Sequence, residues 1–209
     1  MNLYCVFCLP DVLLHCCVFA VLVQSAPVDP QLAFREAAER AKLLVEKILH
    51  DIPTAYRATV TMEGLTLDPS NQPANLQMMT TSLKIPAAPV LKPLSDSFTL
   101  DTCVKRMSAG SRLHHDLLGS LAGQLNGLND LRADLWDLLS QISNLKQLAD
   151  LSDPTEHYQR PDLTSTLQSD YDVQMAAHLI LKQLRSFCHD LIRSLRAISS
   201  IRPSAAATR

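Results

Sequence analysis

Apolar side chains return every three or four residues along four stretches of the chain, the spacing of one face of an α-helix. In the first, over about 31–52, the stripe runs through Phe34, Ala38, Ala41, Leu44, Val45, Ile48, Leu49 and Ile52, and Pro53 is expected to stop it. The second, over about 98–123, carries Leu100, Cys103, Val104, Met107, Leu117, Leu118 and Leu121, with Gly119, Gly123 and Gly127 weakening its end. A third, over about 127–150, has Leu128, Leu131, Leu135, Leu138, Leu139, Ile142, Leu145 and Leu148 on one face. The fourth, over about 173–199, is striped by Ala177, Ile180, Leu181, Leu184, Cys188, Leu191, Leu195 and Ile198. No stretch offers sustained period-two alternation bounded by turn signals, so no substantial sheet is expected and the predicted class is all-α.

The predicted connections are long, short and long: a crossover over 53–97, a few residues before 127, and a loop over 151–172. About 2–8 residues are usual between bundle helices. Antiparallel neighbours need only a short loop, whereas a connection that returns to the starting end must travel a helix length. The expected architecture is therefore a long-chain four-helix bundle, up-up-down-down with two long crossover connections. The segment "PANLQMMTTSLKIPAAPVLKPLSD", residues 73–96, carries four of the chain's 12 prolines. They keep the connection from continuing the first helix and reduce its entropy when unfolded.

Composition narrows the class. The chain has 209 residues, 47% of them hydrophobic, a formal net charge of −2 and only 5 glycines, as expected of a globular domain. Lys and Arg total 19 against 21 Asp and Glu, with no basic block, so a nucleic-acid partner is not expected. Residues 1–25, "MNLYCVFCLPDVLLHCCVFAVLVQS", contain no Lys or Arg, one acid at Asp11, and a mostly apolar run over 12–23 that gives way to Ser25 and Ala26. That is the pattern of a secretory signal peptide, whose cleavage after Ser25 would leave residues 26–209 as a domain outside the cell. A retained anchor is the weaker reading, because the run, interrupted by His15, is too short to cross a bilayer core of roughly 30 Å. Cys5, Cys8, Cys16 and Cys17 would leave with the signal, so only Cys103 and Cys188 remain and stability must come from a hydrophobic core. These two could pair, but sequence does not give the Cα separation of roughly 5.5–6 Å that a bridge needs, and two buried free thiols are expected. No Asn-x-Ser/Thr acceptor for N-glycosylation occurs.

No catalytic constellation is present: no Gly-x-Gly-x-x-Gly, Walker loop, His-Glu-x-x-His or Gly-x-Ser-x-Gly. Adjacent His114 and His115 point about 100° apart on a helix and cannot form an i, i+4 metal pair, so surface or boundary positions are expected for both. Trp136 lies beside the third stripe, where it could be a boundary residue or part of a contact surface, with core packing the safer expectation for a lone Trp. The three glycines near the end of the second helix are expected to serve close helix approach or fraying. Asp134 and Asp137 lack an accompanying nucleophile. The default for Glu36, Glu39, Arg40 and Lys42, and for Asp130, Asp134 and Asp137, is a solvated charged face.

Four motifs resemble the interleukin-6, granulocyte colony-stimulating factor and myelomonocytic growth factor family of long-chain helical cytokines. "PANLQMMTTSLKIPAAP" is similar to the crossover of its granulocyte colony-stimulating factor branch, with a Ser-Leu-x-Ile-Pro-x-Ala-Pro element in register. Cys103, Gly110 and Leu118 fit the family signature, while Ser111 stands for a Leu and His114 for an aromatic. "LNDLRADLWDLL" and "FCHDLIRSL" resemble the third and fourth helices. Pro93 occupies the place of an earlier family Cys and "PTAYRAT" has none, so both family disulfides are absent.

The resemblance implies a secreted cytokine without enzymatic activity or cofactor. It would bind and dimerise a class I cytokine receptor, acting as a monomer that forms a 2:2 complex, and drive JAK/STAT signalling in granulocyte production. The main contact would be the exposed faces of the first and third helices, with Asp130, Asp134 and Asp137 opposite a helix-one glutamate that aligns as Glu36 or, after a shift, as Glu39, next to Arg40. A second contact of the family uses an acid where this chain has Asn75. The nearest rival is an interleukin-6-like cytokine, against which the crossover motif argues. From another class, an exchangeable lipid-binding helical protein would need Lys and Arg flanking a broad apolar face. An intracellular helical scaffold becomes the better reading only if residues 1–25 are retained.

Overall fold

Asp29 accepts a hydrogen bond from the Gln31 backbone N–H at 2.9 Å, and Pro30, whose missing N–H is harmless in a first turn, follows it. Together they start helix α1 (Pro30–Thr59) in the computed structural model, which describes residues 29–68, 76–151, 158–163 and 165–200. Residues 1–25, expected to be a signal peptide, and Asn75 lie outside these residues.

Pro53 does not stop α1, contrary to expectation; the helix runs through it to Thr59. Proline removes one N–H and crowds the carbonyl four residues back, a cost of about 3 kcal/mol in a helix interior. The turns beyond it outweigh that cost because Ala55, Tyr56, Thr59 and Val60 are all buried. Tyr56 also places its hydroxyl 2.7 Å from Nδ1 of His178. Pro53→Ala is therefore expected to stabilise the protein by about 1–2 kcal/mol, the restored hydrogen bond exceeding the unfolded-state entropy that proline saves. A urea midpoint that falls in the variant would overturn this account.

The long connection contains a short helix, α2 (Leu76–Ser82), that the apolar pattern did not predict. Its end is closed by backbone bonds from Ile85 N to Thr80 O and from Lys84 N to Thr81 O, each 3.1 Å, with Lys84 at φ 54°. Helix α3 (Leu100–Leu121) is capped by Thr99, which accepts from Thr102 N. Gly127 at φ 91° turns the chain into α4 (Asn129–Leu148), which ends in the same closure as α2, with Asp150 at φ 49°. Helix α5 (Asp170–Ser200) begins earlier than the predicted 173 because Ser169 and Asp172 form a reciprocal capping box. The described residues thus form five helices and no strand.

Helices α1 and α3 each pack on both α4 and α5, while the backbones of α1 and α3, and those of α4 and α5, do not approach closely. Across α1 and α5 the meeting residues run in opposite order: Glu46 with Arg196 at 3.8 Å, Tyr56 with His178, and Thr61 with Gln174 at 3.0 Å. The same holds for α3 and α5, where Cys103 lies by Ser194 and His114 stacks on Phe187 with ring centroids 5.2 Å apart. It holds again for α3 and α4, where His115 meets Trp136 and Gly119 meets Arg132. The predicted stripes supply most of the buried core. The crossover is tied down by buried Leu83 and Ile85 and by bonds from Gln183 to Pro86 O and from Arg185 to Leu67 O.

Candidate functional site

On α1, residues Glu36, Arg40, Leu43, Lys47 and Asp51 fall at intervals of three and four and so share one face. Glu36 pairs with Arg40 at 3.7 Å and Lys47 with Asp51 at 3.1 Å. Asp130, Asp134 and Asp137 make the corresponding row on α4. Lys47 joins the two rows by reaching across to Asp134, Nζ to Oδ2 at 2.5 Å.

That bridge corrects one expectation. Asp134 does not belong to a solvated face: it is buried where α4 packs on α1, while Asp130 and Asp137 remain exposed. Its hydrogen bond, followed by that of Asp51, holds Lys47 above the usual lysine range, so the ammonium stays charged.

The structure also separates the two helix-one glutamates. Glu36 lies with Arg40 on the row that meets α4. Glu39 is turned the other way, ion-paired with Lys42 and close to Ser199 and Arg196 of α5. The Lys42 hydrogen bond is the main cause that keeps Glu39 below the ordinary carboxylate range.

Two further placements differ from expectation. Trp136 is 64% exposed rather than in the core, because it lies beside the apolar row of α4, against the His115 ring at 5.7 Å. His114 is fully buried rather than at the surface. Helix α5 covers it with Phe187, and Nδ1 lies 2.7 Å from the Gly110 carbonyl, to which it donates.

Leu43 and Lys47 were missed as members of the face. Leu43 is 60% exposed at the centre of the α1 row. Its omission from the apolar stripe was the available signal: it is a large aliphatic residue out of phase with the core. The resulting surface has four acids, Glu36, Asp51, Asp130 and Asp137, with Asp134 buried beneath Lys47, against two bases, Arg40 and Lys47, around one apolar side chain. Such a surface can steer and hold a basic partner. It brings no nucleophile next to a base, the arrangement that covalent chemistry needs.

Cys103 and Cys188 are free and buried, and burial raises both thiols, Cys188 to about 12, which leaves little reactive thiolate. Among the described residues no group of three His, Cys, Asp or Glu could hold a metal ion, and no helix is long and apolar enough to cross a membrane. No family model and no curated protein matches the sequence.

Proposed function

We propose that the chain is a secreted helical cytokine of the granulocyte colony-stimulating factor type, acting by bringing class I cytokine receptor chains together. The observation that carries this reading is the order of the helix contacts. Opposite order between α1 and α5, between α3 and α5 and between α3 and α4 supports an up-up-down-down bundle. The long connections before α3 and after α4, and the short one over 122–128, fit the same path. Buried Leu83 and Ile85 give the Ser-Leu-x-Ile-Pro crossover motif a physical role, which is to fasten the connection to the core.

The acidic face across α1 and α4 is the proposed receptor contact. Exposed Leu43 contributes apolar burial at its centre, while Glu36, Asp130 and Asp137 set association rate and specificity. Asp134 acts at one remove, by fixing Lys47. Receptor chains held together in this way would bring their bound JAK kinases into reach of each other and start STAT signalling toward granulocyte production.

The test is binding of residues 26–209 to the granulocyte colony-stimulating factor receptor ectodomain of the same species. Saturable binding is expected, weakened about tenfold or more by an Asp130→Lys, Asp137→Lys double variant, chiefly through slower association. Glu36→Lys should weaken it more than Glu39→Lys. Binding indifferent to all three changes would remove the face from the proposal, and no binding at all would redirect the test to an interleukin-6-type receptor.

A further inference from the structure

Where α3 packs on α4, His115 meets Trp136 and Gly119 meets Arg132. Followed toward the start of α3, that antiparallel register sets Arg112 opposite Leu139, Ser108 opposite Ser143 and Lys105 opposite Lys146. All six line one furrow of about 330 Å³ between the helices, within the roughly 300–1,000 Å³ typical of small-molecule sites. Among the described residues that line it, Lys105, Arg112 and Lys146 are cations and none is an acid.

These cations flank apolar ground. Buried Val104 and Ile142 and half-buried Leu139 form the floor, and Ser108 and Ser143 lie between the lysine pair and Arg112. Asp101 offsets Lys105 from outside the furrow, Oδ2 to Nζ at 2.6 Å. Arg112 lies over the Tyr158 ring, which forms one wall, at 5.4 Å from its centroid. Tyr158 adds no negative charge: burial first, and Asp116 next, push it up to about 12. Past Leu139 the furrow continues into a cleft of about 800 Å³ that shares Arg112, Leu139, Ser143 and Tyr158 and reaches His115 and Trp136. Asp116, the one acid among the described residues of that cleft, is offset by Arg160 at 3.8 Å. Cations beside an apolar floor suit a ligand with a negative head for the charges and an apolar body that displaces water from the floor. The floor lies between two helices, so it takes a single molecule rather than a bilayer surface.

We propose that this furrow binds an amphipathic anion, with a carboxylate, sulfate or phosphate head among Lys105, Lys146 and Arg112 and an apolar body over Leu139 toward Trp136. The Ser108 and Ser143 hydroxyls donate to the head, which meets donors on both helices and no competing carboxylate among the described lining residues. Ser143 lies about 140° around α4 from Asp130, so the site is separate from the acidic face and stands without the receptor reading.

Decanoate, decanol and acetate are titrated into the full chain at neutral pH and constant ionic strength. The signals are the fluorescence of Trp136, the chain's single tryptophan, and the Ser108 and Ser143 amide resonances. Decanoate is expected to saturate and move both, decanol to bind about tenfold or more weakly, and acetate not to saturate. Arg112→Gln and Lys146→Gln should each weaken decanoate about tenfold, as a lost contact to a charged group does, and leave decanol unchanged. Ser143→Phe, at an exposed position, should fill the furrow and abolish binding, whereas Arg40→Gln on the acidic face should change nothing. Tighter binding of decyl sulfate or decyl phosphate than of decanoate assigns the head to that ester, and the reverse order assigns it to a carboxylate. Decanol bound as tightly as decanoate, a decanoate titration that never saturates, or affinities unchanged in Arg112→Gln, Lys146→Gln and Ser143→Phe would overturn the site.

Discussion

Acidification from about pH 7 to about pH 4 is expected to remove roughly 3 kcal/mol of stability through His114 alone. Burial lowers this histidine from 6.5 to about 4 in the folded protein. Its Nδ1–H already donates to the Gly110 carbonyl, and Nε2 lies near Gln183 without forming a well-shaped hydrogen bond. A second proton on Nε2 could use the Gln183 oxygen, which offsets only part of the cost of a buried charge. Because the folded value is depressed, the unfolded chain takes up the proton first. The contribution is intact above 6.5, is lost between 6.5 and about 4, and does not change further below that. His178 is lowered by burial as well and acts in the same direction, with its ring held by Tyr56. Urea midpoints of the wild type and His114→Gln at neutral pH and near pH 4.5 isolate the His114 share, because carboxylate effects are common to both. Parallel pH dependences in the two proteins would mean that His114 is not the group responsible.

Phe187→Ala is expected to cost about 4 kcal/mol, the usual range for emptying a fully buried aromatic site. Gly110→Ala should cost about 2 kcal/mol, although alanine is the better helix former by about 1 kcal/mol. A methyl group on Gly110 would fall 2.2 Å from Phe187 Cζ and 2.5 Å from Cε2, well inside contact distance. The ring cannot withdraw, because it is 2% exposed and stacked on His114. In the Phe187→Ala background the obstacle is gone, and Gly110→Ala should become neutral or stabilising by up to about 1 kcal/mol. Equal effects of Gly110→Ala in both backgrounds would show that the close approach of α3 to α5 does not explain the glycine.

The sequence stripes located the four long helices because burial on one face follows the helical period directly. Their ends were less legible. Pro53 was read as a stop because a local signal is silent about Ala55, Tyr56 and Thr59, which are buried only once α5 is in place. Ser169 and Asp172 could have marked the start of α5, since their three-residue spacing is the capping-box signal. His114 and Trp136 exchanged their expected places for one reason: polarity and size are properties of a residue, whereas exposure depends on which helix lies opposite. Asp134 follows the same logic, for its spacing with Asp130 and Asp137 was visible but the arm of Lys47 over it was not.

The pairing of α1 with α4 and α5, and not with α3, also bears on synthesis. A ribosome delivers helices in sequence order, so α1 and α3 emerge before either helix that covers the apolar side of α1. At about 5–20 residues per second, completing the chain from the end of α1 through α5 takes on the order of ten seconds. Until α4 is made, Phe34, Val45, Ile48 and Ile52 have no native partner from either helix, and until α5 is made they lack the larger of the two covers. A nascent chain of this design therefore depends on shielding of its first helix until its last has been made.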